Sequence, residues 1–225
     1  MTGSPDAAGS GRRRVLVVDD HPLVRAGIVA LIGNEPDLEV CGEAGTFREA
    51  LELTRRTEPD LAIVDLSLTD RSGLELVKRL TGSRPSLRVL VCSMHEESLF
   101  AQRALNAGAM GYINKQEATT SVVEAIRRVL SGKVWLSGPM TERMIQHLAR
   151  GGPISGAPSI HDLTDRELEV FSLIGQGLRP AQIAEQLHLS VKTVEAHREK
   201  IKKRLNLTSG SELTQYAVQW TLEQG

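Results

Sequence analysis

At 225 residues, with 40% hydrophobic and 24% charged residues and a formal net charge of -1, the chain has the make-up of a globular protein of two domains, each long enough to bury its own core. This composition excludes wholesale disorder, no apolar run reaches the roughly 18–20 residues of a membrane span, and residues 1–14 hold no signal-peptide core, so a cytoplasmic protein without membrane attachment is expected. The near-zero charge leaves nucleic-acid binding open, because two domains of opposite character cancel.

Residues 1–12 read as a disordered N-terminus. From Arg14 short apolar runs alternate with amphipathic stretches: VLVV then LVRAGIVALI, LEVCGEA then FREALELTRR, LAIVDL then GLELVKRL, LRVLVCS then LFAQRALNAG, MGYIN then VVEAIRRVLSG. Five strand–helix pairs over 13–132 predict a parallel α/β domain, since parallel strands are joined by right-handed crossovers that usually contain a helix. Cys41 and Cys92 fall inside two of the apolar runs and read as reduced, buried thiols rather than a disulfide or a metal site.

The alternation stops near Gly132. Residues 133–160 read as a linker with one possible helix at 140–149, followed by RGGPISGAPSI, rich in glycine, proline and serine. Over 161–225 only helical periodicity remains, which predicts a small all-α domain. Thr164 followed by Glu167 has the capping-box spacing of a helix start. RPAQIAEQL and VKTVEAHREKIKKRL, joined by the short HLS, have the spacing of a helix-turn-helix. In the second of these helices Val191, Val194, Ile201 and Leu205 share a buried face, which turns Lys192, Glu195, Ala196, Glu199 and Lys203 outward. Residues 191–205 hold six Lys or Arg against two Glu, a local excess that suits a helix beside phosphates. The last helix, SELTQYAVQWTL, carries an apolar stripe of Leu213, Tyr216, Ala217 and Trp220 that packs on its own domain or on a second copy.

In a parallel sheet the residues after each strand converge on one edge, where ligands bind. Here they are Asp19 and Asp20, Asp65, Ser93 and Lys115. Three neighbouring carboxylates favour a hard, oxygen-seeking divalent cation such as Mg²⁺, while an ammonium and a hydroxyl suit a phosphoryl group. Asp65 ends a central strand, with Asp19 and Asp20 better placed to hold metal, so Asp65 is the candidate nucleophile for an acyl phosphate.

The runs VLVVDDHPLVRAG, IVDLSLTDRSGLELV, VCSMHEE and GYINKQ resemble the receiver motifs of the NarL/FixJ response-regulator family. The resemblance implies a flavodoxin-like (βα)5 domain in which a sensor histidine kinase phosphorylates Asp65. It implies that Asp19, Asp20, Asp65 and the backbone carbonyl of Ser67 hold Mg²⁺, that Ser93 and Tyr112 are the switch pair, and that Lys115 is the family's lysine. His21 belongs to the same pattern, outside the metal ligands. Leu68 and Thr69 stand where the family has Met-Pro, so a less rigid loop is expected.

LTDRELEVFSLIGQGLRPAQIAEQLHLSVKTVEAHREKIKKRLNL resembles the LuxR-type DNA-binding domain. The resemblance makes 191–205 the recognition helix on double-stranded DNA, with Lys192, Thr193, His197 and Lys200 at phosphates and Glu195, Ala196 and Glu199 toward the major groove; Lys203 shares the outward face. It also implies a homodimer when phosphorylated, joined through the last helix. The expected function is transcriptional control, with no catalysis beyond self-phosphorylation and self-dephosphorylation. The alternatives are a DNA-binding regulator whose receiver is only a scaffold, and an aspartyl phosphatase, against which position 67 is Ser rather than a general-acid Asp.

Overall fold

The computed structural model describes residues 11–95, 97–149 and 160–224. The expected disordered start and the glycine-, proline- and serine-rich linker fall almost wholly outside these residues. The chain divides into two compact units between Ser137 and Gly138.

The first unit runs β1 (Arg13–Val18), α1 (Pro22–Gly33), β2 (Leu38–Ala44), α2 (Phe47–Thr57), β3 (Leu61–Val64), α3 (Gly73–Ser83), β4 (Arg88–Ser93), α4 (Glu97–Asn106), β5 (Gly111–Asn114) and α5 (Ala118–Leu130). The five strands are parallel, in the order β2-β1-β3-β4-β5. This is the flavodoxin-like order, and its direction of winding reverses beside β1, where open α/β sheets form their crevice. Both faces of the sheet are covered, which is why the strands read as unbroken apolar runs. Val15, Val17, Leu61, Ile63, Leu90 and Cys92 pack on one face with Ile28 and Ile32 of α1 and Val122, Ile126 and Val129 of α5. Leu16, Val18, Ala62, Val64, Val89 and Val91 are equally buried in alternation with them.

Past Gly132 the first unit continues to a short bridge. Trp135 donates its N–H to Met110 and accepts from that of Tyr112, pairing with Gly111 beside β5. A Cβ on Gly111 would lie 2.8 Å from Leu90 and 3.0 Å from Trp135, so only glycine admits this pairing. Cys92 is buried, and burial pushes its thiol up to about 12, which leaves it inert. Cys41 was expected to be buried as well; it is half-buried, 3.5 Å from the Thr57 hydroxyl, because the strand that holds it lies at the sheet edge.

In the second unit, α6 (Gly138–Ala149) is the helix expected from residue 140, begun two residues earlier. A 3-10 turn at Ile160–Asp162 precedes α7 (Asp165–Gly175), α8 (Pro180–Gln186), α9 (Val191–Arg204) and α10 (Gly210–Gln224). The capping box that starts α7 is formed: Thr164 accepts from the Glu167 amide, and Glu167 accepts from that of Thr164. Leu168, Phe171 and Leu173 of α7 are buried, as are Val194 and Ile201 of α9 and Leu213 and Ala217 of α10. The Phe171 ring meets Tyr216 at 5.9 Å and Trp220 at 6.0 Å, both edge-on, so the apolar stripe of α10 packs on its own domain. Gly175 lets α10 come close, since a Cβ there would lie 2.7 Å from the Ala217 carbonyl. Among the described residues no helix is long and apolar enough to cross a membrane.

Candidate functional site

The carboxyl edge of the sheet gathers the acidic residues. Asp19 follows β1 and its amide is held by the Ala44 carbonyl, while the Asp65 amide is held by that of Val18, so backbone ladders fix both carboxylates. Lys115, held through its amide by the Ser93 carbonyl, extends its ammonium to 2.7 Å from Asp19 Oδ2 and 2.7 Å from Asp65 Oδ2. Asp19 and Asp65 are each 1% exposed. The second Asp65 oxygen, Oδ1, is buried with no hydrogen-bond partner.

A buried carboxylate oxygen without a donor is costly, and its natural complement is a cation or an incoming electrophile. Carboxylate atoms of Asp19, Asp20 and Asp65, with His21, lie within 4.8 Å of one another, close enough to share one ion. Their chemistry, mostly hard oxygen, fits Mg²⁺. His21 Nδ1 is 2.7 Å from Asp20 Oδ1 and 3.6 Å from Asp19 Oδ1. Burial and the neighbouring Asp65 charge raise the Asp19 acid above its ordinary value, against the pull of Lys115. Burial alone would push Lys115 down, but Asp65 and Asp19 reverse that, and the ammonium is held charged.

The loop after β3 is tightly set without the proline the family has there. Gly73, the first residue of α3, donates to the Leu66 carbonyl; a Cβ there would lie 2.0 Å from the Asp65 carbonyl, so this helix starts against the backbone of the phosphoacceptor candidate only because residue 73 is glycine. Leu68 is buried. Asp70 accepts from the Phe47 amide at the start of α2, and the Arg71 guanidinium lies 5.3 Å over the Phe47 ring. These ties hold the loop to α2 and α3 where the family has its proline, and nothing in the spacing of the motif announced them.

Ser93 is fully buried at the end of β4, and Tyr112, 1% exposed, points inward from β5. The Tyr112 hydroxyl donates to the His95 carbonyl at 2.8 Å and reaches the Ser93 hydroxyl; burial holds the phenol well above its ordinary range despite the latter bond. His95 is the residue that the sequence reading missed. Its amide donates to Ser93 Oγ at 3.3 Å, its ring stacks on Phe100 at 4.6 Å, and its Nε2 lies 2.9 Å from Ser67 Oγ. Ser67, whose carbonyl is the expected ligand atom, thus has its hydroxyl engaged with His95.

The helix-turn-helix is formed by α8 and α9. His188 turns the chain in the left-handed region (φ 50°), and Ser190 caps α9 by accepting from the Thr193 amide at 3.1 Å. Arg166 of α7 donates to the Leu187 carbonyl where α8 gives way to the turn, and Arg204 at the far end of α9 pairs with the buried Glu167 at 3.1 Å, so the turn and the last residue of α9 are both clamped to α7. Lys192, Glu195, Ala196, Glu199, Lys200 and Lys203 are exposed together. Val191, expected on the buried face, is 48% exposed; it opens the first turn of α9, and burial begins at Val194. Thr193 is half-buried with its hydroxyl 2.7 Å from Ser190 Oγ. His197 turns Nδ1 to a buried position without a hydrogen-bond partner. Burial and the Arg166 and Lys200 cations hold its imidazole below the usual range, so it brings no charge to a phosphate at neutral pH.

Comparison with known proteins matches residues 15–127 to the response regulator receiver domain and residues 161–217 to the bacterial regulatory proteins of the luxR family. The chain is 37% identical over 207 residues to the transcriptional activator protein ExaE of Pseudomonas putida, covering 91% of this chain and 95% of that protein. It is 33% identical over 204 residues to the response regulator UvrY of Escherichia coli K12, covering 91% and 93%. Among solved structures, RcsB from Salmonella enterica serovar Typhimurium bound to a promoter superimposes with a TM-score of 0.61 at 24% identity, covering 92% of this chain and 98% of that one, a likeness of fold.

Proposed function

Because the chain belongs to the response regulators, with a receiver domain followed by a luxR-family domain, we propose that a sensor histidine kinase phosphorylates it on Asp65 and that it then binds duplex DNA to control transcription. The observation that carries the reading is the Asp65 carboxylate, with one oxygen on Lys115 and the other buried and unpartnered. The free oxygen attacks the phosphorus of the kinase's phosphohistidine, the P–N bond breaks and the imidazole departs as the leaving group, while the Lys115 ammonium stabilises the phosphoryl oxygens. Asp19 and Asp20, with Asp65 and the Ser67 carbonyl, are the residues that would hold Mg²⁺, which when bound neutralises charge on the transferred group.

The acyl phosphate adds negative charge and acceptor oxygens beside the sheet edge, toward which the Ser93 hydroxyl turns, with Tyr112 behind it. The surface so changed brings two copies together, and two recognition helices then engage two half-sites at once. Lys192, Lys200 and Lys203 take the phosphates, with Thr193 and His197 as neutral neighbours, while Glu195, Ala196 and Glu199 face the bases.

Intact mass after incubation with a small phosphodonor and Mg²⁺ tests the first step, and light scattering and DNA titration test the second. The wild type is expected to gain one phosphoryl group, to dimerise and to bind DNA more tightly, with Asp65→Asn doing none of these. A phosphoryl gain that survives Asp65→Asn would overturn the assignment of the acceptor, and a gain without change in assembly or affinity would overturn the switch.

A further inference from the structure

The exposed face of α9 carries two acids among its lysines. Glu195 and Glu199 are four residues apart and so lie on one face, with side chains 51% and 62% exposed. Each is steadied by a cation of its own helix: Glu195 Oε2 is 3.4 Å from Arg198 Nε, and Glu199 Oε1 is 2.8 Å from Lys202 Nζ. Those two cations are largely covered, at 18% exposure each, so the carboxylates project beyond them. Exposed Lys192, Lys200 and Lys203 flank the pair, and their attraction for phosphates offsets the repulsion two acids bring near DNA.

A carboxylate only accepts hydrogen bonds. In the major groove cytosine presents its N4 donor, adenine presents the N6 donor beside the N7 acceptor, guanine presents two acceptors, and thymine an acceptor and a methyl group. An acid therefore favours cytosine, tolerates adenine less and is repelled by guanine. Resting on the reading that α9 enters the major groove, we infer that Glu195 and Glu199 are specificity determinants that each select a cytosine in the half-site, so that the operator carries C·G pairs at two positions fixed by this helix. Arg198 and Lys202 act as positioning residues, holding the two carboxylates in place before the duplex arrives.

Selection from a randomised duplex pool with the full-length phosphorylated chain tests this. Two cytosines are expected in each half-site, and exchanging either for another base is expected to weaken binding about tenfold. Glutamine pairs with both N6 and N7 of adenine, so Glu195→Gln and Glu199→Gln are each expected to shift the preference at one position, and a different one, from cytosine to adenine. Recovery of a defined half-site lacking cytosine at those positions, or unchanged preferences in both variants, would overturn the proposal and leave DNA binding standing. Retention of no duplex by the wild-type chain would overturn the DNA-binding reading, and this proposal with it.

Discussion

Ser67 Oγ and His95 Nε2 lie 2.9 Å apart, and this contact joins the loop that carries Asp65 to the loop that follows Ser93. Since the His95 carbonyl also receives the Tyr112 hydroxyl, the loops after β3 and β4 and a side chain of β5 are tied at one residue.

The tie has a kinetic signature. A hydrogen bond of this kind contributes about 1 kcal/mol, so its loss is expected to speed hydrolysis of the acyl phosphate about fivefold by loosening the cover over Asp65. Ser67→Ala and His95→Ala should each do this, and the double variant should be no faster than either. His95→Gln, which keeps an amide in reach of Ser67, should retain most of the lifetime. Decay of the phosphorylated mass after removal of donor is the measurement; rates that multiply in the double variant would show that the two residues act separately.

The charge on Asp19 works against the stability of the first unit. Buried beside Asp65, this residue carries a charge that both its burial and its neighbour disfavour. In metal-free buffer Asp19→Asn is expected to raise stability by about 0.5–2 kcal/mol, while weakening Mg²⁺ binding. Thermal melts with and without Mg²⁺ give both quantities, and an unchanged or lowered melting temperature without metal would count against this account.

Glu167 serves α7 and α9 together, closing the capping box with Thr164 and receiving Arg204 while nearly buried. Glu167→Ala removes a cap and leaves Arg204 without that partner, at an expected cost of about 2–4 kcal/mol. Urea unfolding should show the loss in the second unit, and DNA affinity should fall with phosphoryl uptake intact. Equal losses in both units would contradict the assignment of Glu167 to one of them.

His197 gives the second unit a pH dependence of known sign. Its folded value lies below the ordinary 6.5, with burial the first cause and Arg166 and Lys200 adding to it against Glu167. The unfolded chain therefore binds the proton more readily, so this contribution to stability is fully present above 6.5 and is lost as pH falls through the depressed folded value. Calorimetry from neutral to mildly acid pH should show the decline, flattened in His197→Gln. A variant that declines as steeply as the wild type would place the effect elsewhere.

The order of elements and the five polar residues at the strand ends were legible because both follow from periodicity: apolar runs mark the strands, and whatever comes next in a parallel sheet shares its edge. What escaped were contacts with no period. The Ser67–His95 bond and the Asp70–Phe47 bond link loops 28 and 23 residues apart, and each depends on a side-chain direction that no local pattern encodes. The missing proline suggested a loose loop, whereas Asp70, Arg71 and Gly73 anchor it by other means. Helical spacing put Val191 on the inner face of α9, but spacing says which residues align and not where along the helix burial begins.

The bridge at Trp135 makes each unit spectroscopically addressable. The chain holds two tryptophans, one in each compact unit: Trp135, paired with Gly111 beside β5, and Trp220, edge-on to Phe171. The Trp135 carbonyl accepts the amide proton of Tyr112, so the emission of Trp135 samples the surroundings of β5, while Trp220 samples the packing of α7 and α10. Replacing one or the other with phenylalanine yields two singly labelled proteins without attaching a dye. Changes in the first unit and in the second can then be followed as two separate fluorescence traces.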